Sequence, residues 1–278
     1  MKRSAARRKK KFQCKKYFKS IILGVIFVWL VIIILLYFFT PSRWDGETQF
    51  SYIYLDTDQV VLRVLEPDTN IVTDIIIPGS TQVQVANQMG TWRLESVWQL
   101  GQDEGLDGLL LSRTLSKSFL FPVDAWSEKP IDSLGSVLTS FKTNLSLKDK
   151  LKIYLFWLAA SGKEELDFKN TKLTDSLKRL LNYSTVSSEL SQVELINMSK
   201  NKAIENWLVS LIEVIGAKVF SISEISDKRF ERCLVISNNN LKTAKVISRI
   251  FDCSFETDSR LSNQTVKIYI DDQFVREY

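Results

Sequence analysis

The side chains that could do chemistry are few in kind. The chain has no histidine, which removes Ser-His-Asp and Cys-His catalysis and every imidazole metal site. Its three cysteines are Cys14, Cys233 and Cys253. Cys14 lies beside an apolar run and suits reversible palmitoylation. Cys233 and Cys253 either form a disulfide or stay as two buried thiols, because sequence spacing does not set the distance between them. Asp103-Glu104 and Asp271-Asp272 are acidic pairs without the spacing of a cation loop. There is no Walker loop and no Gly-x-Gly-x-x-Gly. Asn144, Asn182, Asn197 and Asn263 sit in Asn-x-Ser/Thr triplets, which are frequent by chance. What remains for chemistry is charge: guanidinium and ammonium groups for anions, carboxylates for hard cations.

These charges need a scaffold, and the scaffold starts from residues 21–39, IILGVIFVWLVIIILLYFF. As a helix this run would rise about 28 Å, close to the thickness of a bilayer's hydrocarbon core. Ten of the 37 Lys and Arg precede it and none of the 32 acidic residues does. That asymmetry predicts a cytoplasmic tail (1–20), a transmembrane helix (21–39) and an extracytoplasmic remainder. A cleaved signal would be shorter and end in small residues. This run ends in Tyr37-Phe38-Phe39-Thr40-Pro41, so an uncleaved anchor is expected. Residues 41–278 are formally −5 although the whole chain is +5, which argues against nucleic acid as a partner. The tail is too short for a DNA-binding fold, so signalling through it ranks last.

Beyond the run the periodicity predicts an α/β (α+β) body in two parts, 40–185 and 186–278. Strands are expected at 50–55, 60–65 and 71–77, the last two forming a hairpin across Glu66-Pro67-Asp68-Thr69-Asn70. A strand at 81–85, helices at 92–100 and 106–119, a short strand at 121–126 and a helix at 131–141 follow. A helix at 148–160 opens on a Ser146/Asp149 capping box and should end at Gly162. Its run 153–158 is dense in large apolar residues. Core burial is the default for it, and resting on the outer leaflet is the alternative. Residues 173–181 read as a short helix and 183–192 as a Ser/Thr-rich linker. Strands at 193–198, 218–223, 233–237 and 266–270, with helices at 202–215 and 241–251, complete a βαββαβ unit. Asn238, Asn239 and Asn240 are available to cap the last helix.

The pieces Ile75-Ile76-Ile77-Pro78, Gly79-Ser80-Thr81-Gln82-Val83, Arg93-Leu94-Glu95-Ser96-Val97, the helix 109–119 and Phe121-Pro122-Val123-Asp124 resemble the LytR-CpsA-Psr family of cell-envelope proteins. The 186–278 part is similar to the LytR C-terminal domain at 193–197, 215–219 and 266–270, with Asn197-Met198-Ser199 where Asn-Gly-Thr is usual. The resemblance implies a membrane-tethered phosphotransferase that moves a glycopolymer from a polyprenyl-pyrophosphate carrier to peptidoglycan. It also implies arginines on the pyrophosphate and carboxylates on Mg²⁺.

The chain departs from that pattern where the chemistry would sit. The family's Ile-Pro-Arg-Asp-Thr is Ile77-Pro78-Gly79-Ser80-Thr81 here, so the arginine and the aspartate are both replaced. The Arg–Asp pair expected before the first strand is also missing, since Gln49-Phe50-Ser51 carries no charge. No catalytic residue, metal ligand or cofactor is therefore expected, with Mg²⁺ required only if transferase chemistry persists. Arg93, Arg113, Lys117 and Asp124 are the candidates left for an anionic headgroup, and the deciding observation is whether a deep apolar pocket between 81–85 and 106–119 is rimmed by Arg93, Arg113 or Lys117. The expected partners are the lipid bilayer, polyprenyl-linked glycan or peptidoglycan, and other envelope proteins. A catalytically degenerate binding or scaffold protein is the first reading, and an active transferase with relocated cations is the second.

Overall fold

The computed structural model describes residues 24, 41–139, 141–168, 175–199, 201–225, 232–238 and 241–278. The basic tail and, Gly24 apart, the expected membrane span lie outside them. No helix among the described residues is long and apolar enough to cross a membrane.

The first part is built on a five-stranded mixed sheet of order β6-β1-β2-β3-β7. Its centre is β1 (Phe50–Asp56), β2 (Gln59–Glu66) and β3 (Ile71–Pro78), paired antiparallel in the expected places. Simple alternation does not describe these strands, because both faces are covered. Ile53, Val60, Leu62, Val64, Ile75 and Ile77 face one core, while Phe50, Tyr52, Tyr54, Val61, Leu65 and Val72 face a second. Next come a ribbon of β4 (Gln82–Gln84) and β5 (Thr91–Arg93), and helices α1 (Leu94–Asp103) and α2 (Gly108–Phe119). Trp92, expected in a helix, belongs to β5. The short edge strand β6 (Ala125–Trp126) runs parallel to β1.

Helix α3 is only Leu134–Leu138, capped by Ser133 and Ser136. Ile131, expected inside that helix, is buried before it, and its N–H donates to the Tyr52 hydroxyl at 3.2 Å. Helix α4 (Leu147–Ala159) starts on the expected capping box, but it ends at Ala160. Gly162 opens another strand, β7 (Gly162–Asp167), parallel to β3. The sequence hid β7 because it is a solvated edge strand, Gly-Lys-Glu-Glu-Leu-Asp, with no apolar face to repeat. Within α4 the default of core burial holds for four of the six residues of the apolar run 153–158, since Ile153 is in the core and Tyr154, Phe156 and Trp157 pack half-buried against it. Only Ile153 of the run is fully buried, and Leu155 and Leu158 stay exposed.

After α5 (Asp175–Leu180), the expected linker holds a helix, α6 (Ser184–Glu189), and Tyr183 beside it is fully buried. Serine-rich composition suggested a connector; Tyr183 and Val186 turn it into a core element.

The second sheet has order β11-β10-β12-β8-β9. Its members are β8 (Gln192–Asn197), β9 (Lys218–Glu224), β10 (Cys233–Ser237), β11 (Ser254–Thr257) and β12 (Thr265–Ile270). Helices α7 (Ala203–Val214), α8 (Lys242–Phe251) and α9 (Asp272–Glu277) complete the part. The expected βαββαβ order thus gains β11 and α9. Gly216, at φ +93, closes α7 as a left-handed residue. At the α8 N-terminus Glu189 accepts from the N–H groups of Lys242 and Thr243 at 2.9 and 2.8 Å; Asn239 and Asn240 lie outside the described residues. Asn238 instead donates to Leu261 and Asn263.

Cys233 and Cys253 form a disulfide, with Cα atoms 4.9 Å apart and 20 positions between them in sequence. It ties β10 to the end of α8. Reducing it should lower stability by about 3 kcal/mol, the loop-closure entropy of a ring of this size. Unfolding in denaturant with and without reductant tests this; a midpoint unchanged on reduction would contradict it.

Candidate functional site

The turn after β3 is where the family resemblance would put a phosphate-binding arginine and an acid. Gly79 donates to the Asp58 carbonyl at 3.0 Å, and its own carbonyl accepts from the Glu95 N–H at 3.0 Å. A Cβ at Gly79 would lie 2.3 Å from the Asp58 oxygen and 2.9 Å from both Cβ and Oε2 of Glu95. The first turn of α1 therefore closes directly over the position. It brings a carboxylate, Glu95, to where the resemblance implies a guanidinium.

The four candidate ligand residues do not meet in one pocket. Arg93 is exposed at the end of β5 and pairs loosely with Glu95 at 3.7 Å. Arg113 is buried on α2, donates to Glu277 at 2.7 Å and lies 5.8 Å from the Tyr278 ring centre. Lys117 is partly buried on the same helix, and burial lowers its pKa. Asp124 is buried, and both its oxygens are engaged. Oδ2 accepts from the Ser51 N–H at 2.7 Å and the Tyr183 hydroxyl at 2.8 Å; Oδ1 accepts from Arg249 Nε at 2.7 Å. Arg113 and Asp124 share only a narrow crevice of about 20 Å³ with Arg249 and Tyr278.

The Asp124 cluster joins the two parts of the chain. Arg249 also donates to the Gln49 carbonyl at 3.1 Å. Burial pulls the Arg249 pKa down, but the charge and hydrogen bond of Asp124, together with Tyr183 and Asp45, hold it above its ordinary value. Burial, then the Asp124 charge, push the Tyr183 phenol up, so it stays a neutral donor. A second clasp adds Arg232, which donates to Glu277 at 2.6 Å beside Arg113. The sequence pointed at Asp124 and Arg113. It carried no signal for Arg249 or Glu277, which lie 125 and 164 residues away along the chain.

A wider cleft of about 780 Å³ opens between residues 41–45, the start of α4 and the α8–β11 corner. One wall is a strap clamped to α4. Asp149 accepts from the Ser42 hydroxyl at 2.6 Å and from the Arg43 and Trp44 N–H groups at 3.1 Å each. Lys152 reaches the Ser42 hydroxyl at 3.2 Å and the Trp44 carbonyl. Arg43 pairs with Asp252 at 2.9 Å. Lys245 is exposed on α8 at the rim. With Trp44, Leu145 and Phe255 in the lining, the cleft is amphipathic. Its arginines are already matched by carboxylates.

Burial raises the Asp149 pKa, but hydrogen bonds from Ser42, Trp44, Ser146 and Arg43 outweigh it and leave the carboxyl below its ordinary value. A depressed folded pKa contributes stability above the unfolded value near 4 and loses it as pH falls through the folded value. Acid titration should therefore loosen the strap only below about pH 4. Asp149→Asn should be less stable at neutral pH and flatten that acid limb. An acid limb equally steep in both proteins would show that Asp149 does not hold the strap.

The carboxylates that the resemblance implies for Mg²⁺ are not free in the described residues. Ser80 stands where the acid would be, both Asp124 oxygens are engaged, and no group of three or more His, Cys, Asp or Glu among the described residues could hold a metal.

No family model and no curated protein matches the chain. Solved structures do. One is the LytR-CPS2A-psr family protein YwtF (TagT) with bound octaprenyl pyrophosphate lipid, at 16% identity over 51% of this chain and 91% of that one, TM-score 0.36. Another is TagT, known from Bacillus subtilis, bound to LIIa-WTA, at 15% identity over 46% and 81%, TM-score 0.36. A third is described as a transcriptional regulator from Enterococcus faecalis, at 11% identity over 65% and 92%, TM-score 0.37. Solved members of the LytR-CpsA-Psr family, the family the sequence resembles, are thus among the structures to which this chain is similar.

Proposed function

We propose that this chain is a membrane-anchored, extracytoplasmic protein of the cell envelope. Its LytR-CpsA-Psr-like core binds or scaffolds cell-wall glycopolymer assembly without transferring the polymer. The observation that carries the reading is Gly79: no side chain, least of all an arginine, fits there beside Asp58 and Glu95. A departing phosphate needs fixed cations, and one lost electrostatic donor of this kind costs about 3–4 kcal/mol of transition-state stabilisation. In this reading residues 1–20 are cytoplasmic and 21–39 span the bilayer. The partners are the bilayer, polyprenyl-linked glycan or peptidoglycan, and other envelope proteins. Of the candidate ligand residues, Arg93 and Lys117 keep exposed surface for an anionic headgroup, while Arg113 and Asp124 sit in buried ion pairs.

The second reading, an active transferase with relocated cations, draws on Arg43, Lys152, Lys245 and Arg249 around the large cleft. One experiment separates the two. The full chain in vesicles is given an octaprenyl-pyrophosphate-linked glycan, Mg²⁺ and peptidoglycan fragments. Retention of the lipid-linked glycan is expected, without release of monophosphorylated carrier or formation of an acceptor joined to the glycan through phosphate. Sustained product formation would establish the transferase instead. Absence of both retention and product would remove the glycan from the proposal.

A further inference from the structure

Helix α4 keeps apolar surface that nothing in the fold covers. Leu151, Leu155 and Leu158 recur at i, i+4 and i+7, which places them on one side of the helix. Leu155 and Leu158 are 52% and 61% exposed, while Leu151, half-buried, packs against the core. Neighbouring α3 adds Leu134 and Leu138, at 54% and 69%. Each pair lies on one side of its own helix, at i, i+4 in α3 and i, i+3 in α4, and the two helices pack together.

The position of this surface in the chain identifies its occupant. Pro41 is two residues beyond the apolar run 21–39, so about 7 Å of extended chain separates them. Residues 42–44 are then clamped to the first turn of α4 by Asp149 and Lys152. Trp44 also packs edge-on against Phe156, with ring centres 5.7 Å apart. If 21–39 crosses the bilayer, the first turns of α4 are held within a few residues of its outer surface. The remaining chemistry suits that interface. Lys148 and Lys152 lie in the first turns of the helix, and Lys163 sits 3.4 Å above the ring centre of Trp157, a half-buried tryptophan packed against the core.

We infer that α3 and α4 lie in the outer leaflet of the membrane, with Leu134, Leu138, Leu155 and Leu158 in the headgroup–acyl boundary, so that the body is held in a fixed orientation by a second lipid contact besides the anchor. This inference rests on the anchor reading above.

The test uses the full chain carrying Cys14→Ser, since Cys233 and Cys253 are bridged. It is reconstituted into phosphatidylglycerol–phosphatidylethanolamine vesicles containing lipids spin-labelled near the headgroup. A bimane label is placed at Leu155→Cys, at Leu158→Cys or, as control, at Phe220→Cys, an exposed apolar position on β9 (68%). Blue-shifted emission and quenching several-fold greater at 155 and 158 than at 220 are expected. Quenching no greater than at 220, in protein that resists an alkaline carbonate wash, would overturn the inference and leave the anchor intact. Protein released by the wash would overturn the anchor and the inference together. Labels at exposed leucines leave the core untouched, and matching melting curves will confirm that each variant is folded.

Discussion

Asp124→Ala is expected to lower the stability of the folded chain by about 4 kcal/mol, the cost of leaving a buried guanidinium without its carboxylate. For a chain of this size that corresponds to a melting temperature lower by roughly 10 °C. The side chains of Asp124 and Arg249 are 0% and 8% exposed, and they meet at 2.7 Å. The same carboxylate accepts from the Ser51 N–H and the Tyr183 hydroxyl, so alanine would also leave two buried donors without their acceptor. Asp124→Asn keeps the shape and an acceptor but cannot offset the charge, so it should lie between wild type and alanine. Adding Arg249→Met to Asp124→Asn should recover part of the loss, because the uncompensated cation is then gone. Denaturant unfolding of all four proteins measures this. A loss below about 1 kcal/mol for alanine, the range of an exposed ion pair, would show that the pair is not buried in solution.

Restoring the family residues should not restore chemistry. Gly79→Arg with Ser80→Asp is expected to show no transfer and to cost about 3 kcal/mol through overpacking. The obstacle begins at Cβ, which would sit 2.3 Å from the Asp58 carbonyl oxygen, so Gly79→Ala alone should account for most of that cost. Glu95→Gly, made alongside Gly79→Arg, removes the contacts with the Glu95 side chain but leaves the Asp58 carbonyl in place, so recovery should be partial. Thermal unfolding and the pyrophosphate-lipid assay together decide. If the double substitution folds as well as wild type and turns over substrate, the site is open and only the two side chains were missing.

The chain declared its larger elements through periodicity. Strands β1 to β3 and helices α2, α4, α7 and α8 lie within a few residues of where their apolar spacing puts them. Elements without an apolar repeat did not show themselves. Strand β7 is an edge of charged residues, and β5 is three exposed residues next to a helix start. Tyr183 shows the opposite failure, a core residue set in linker-like composition. The candidate ligand residues were found by type and place, and type says nothing about partner. Arg113 and Asp124 are bound to Glu277 and Arg249 from the other part of the chain.

Composition and order alone settled that there is no histidine chemistry, that the expected arginine and acid after β3 are replaced, and that a basic tail precedes a long apolar run. Those are properties of residue types at positions, and folding cannot change them. Only the tertiary structure decided that Gly79 lies under Glu95, that Cys233 meets Cys253, and that Ser42 and Trp44 are clamped to Asp149. Each is a distance between groups remote along the chain, set by how sheets and helices pack.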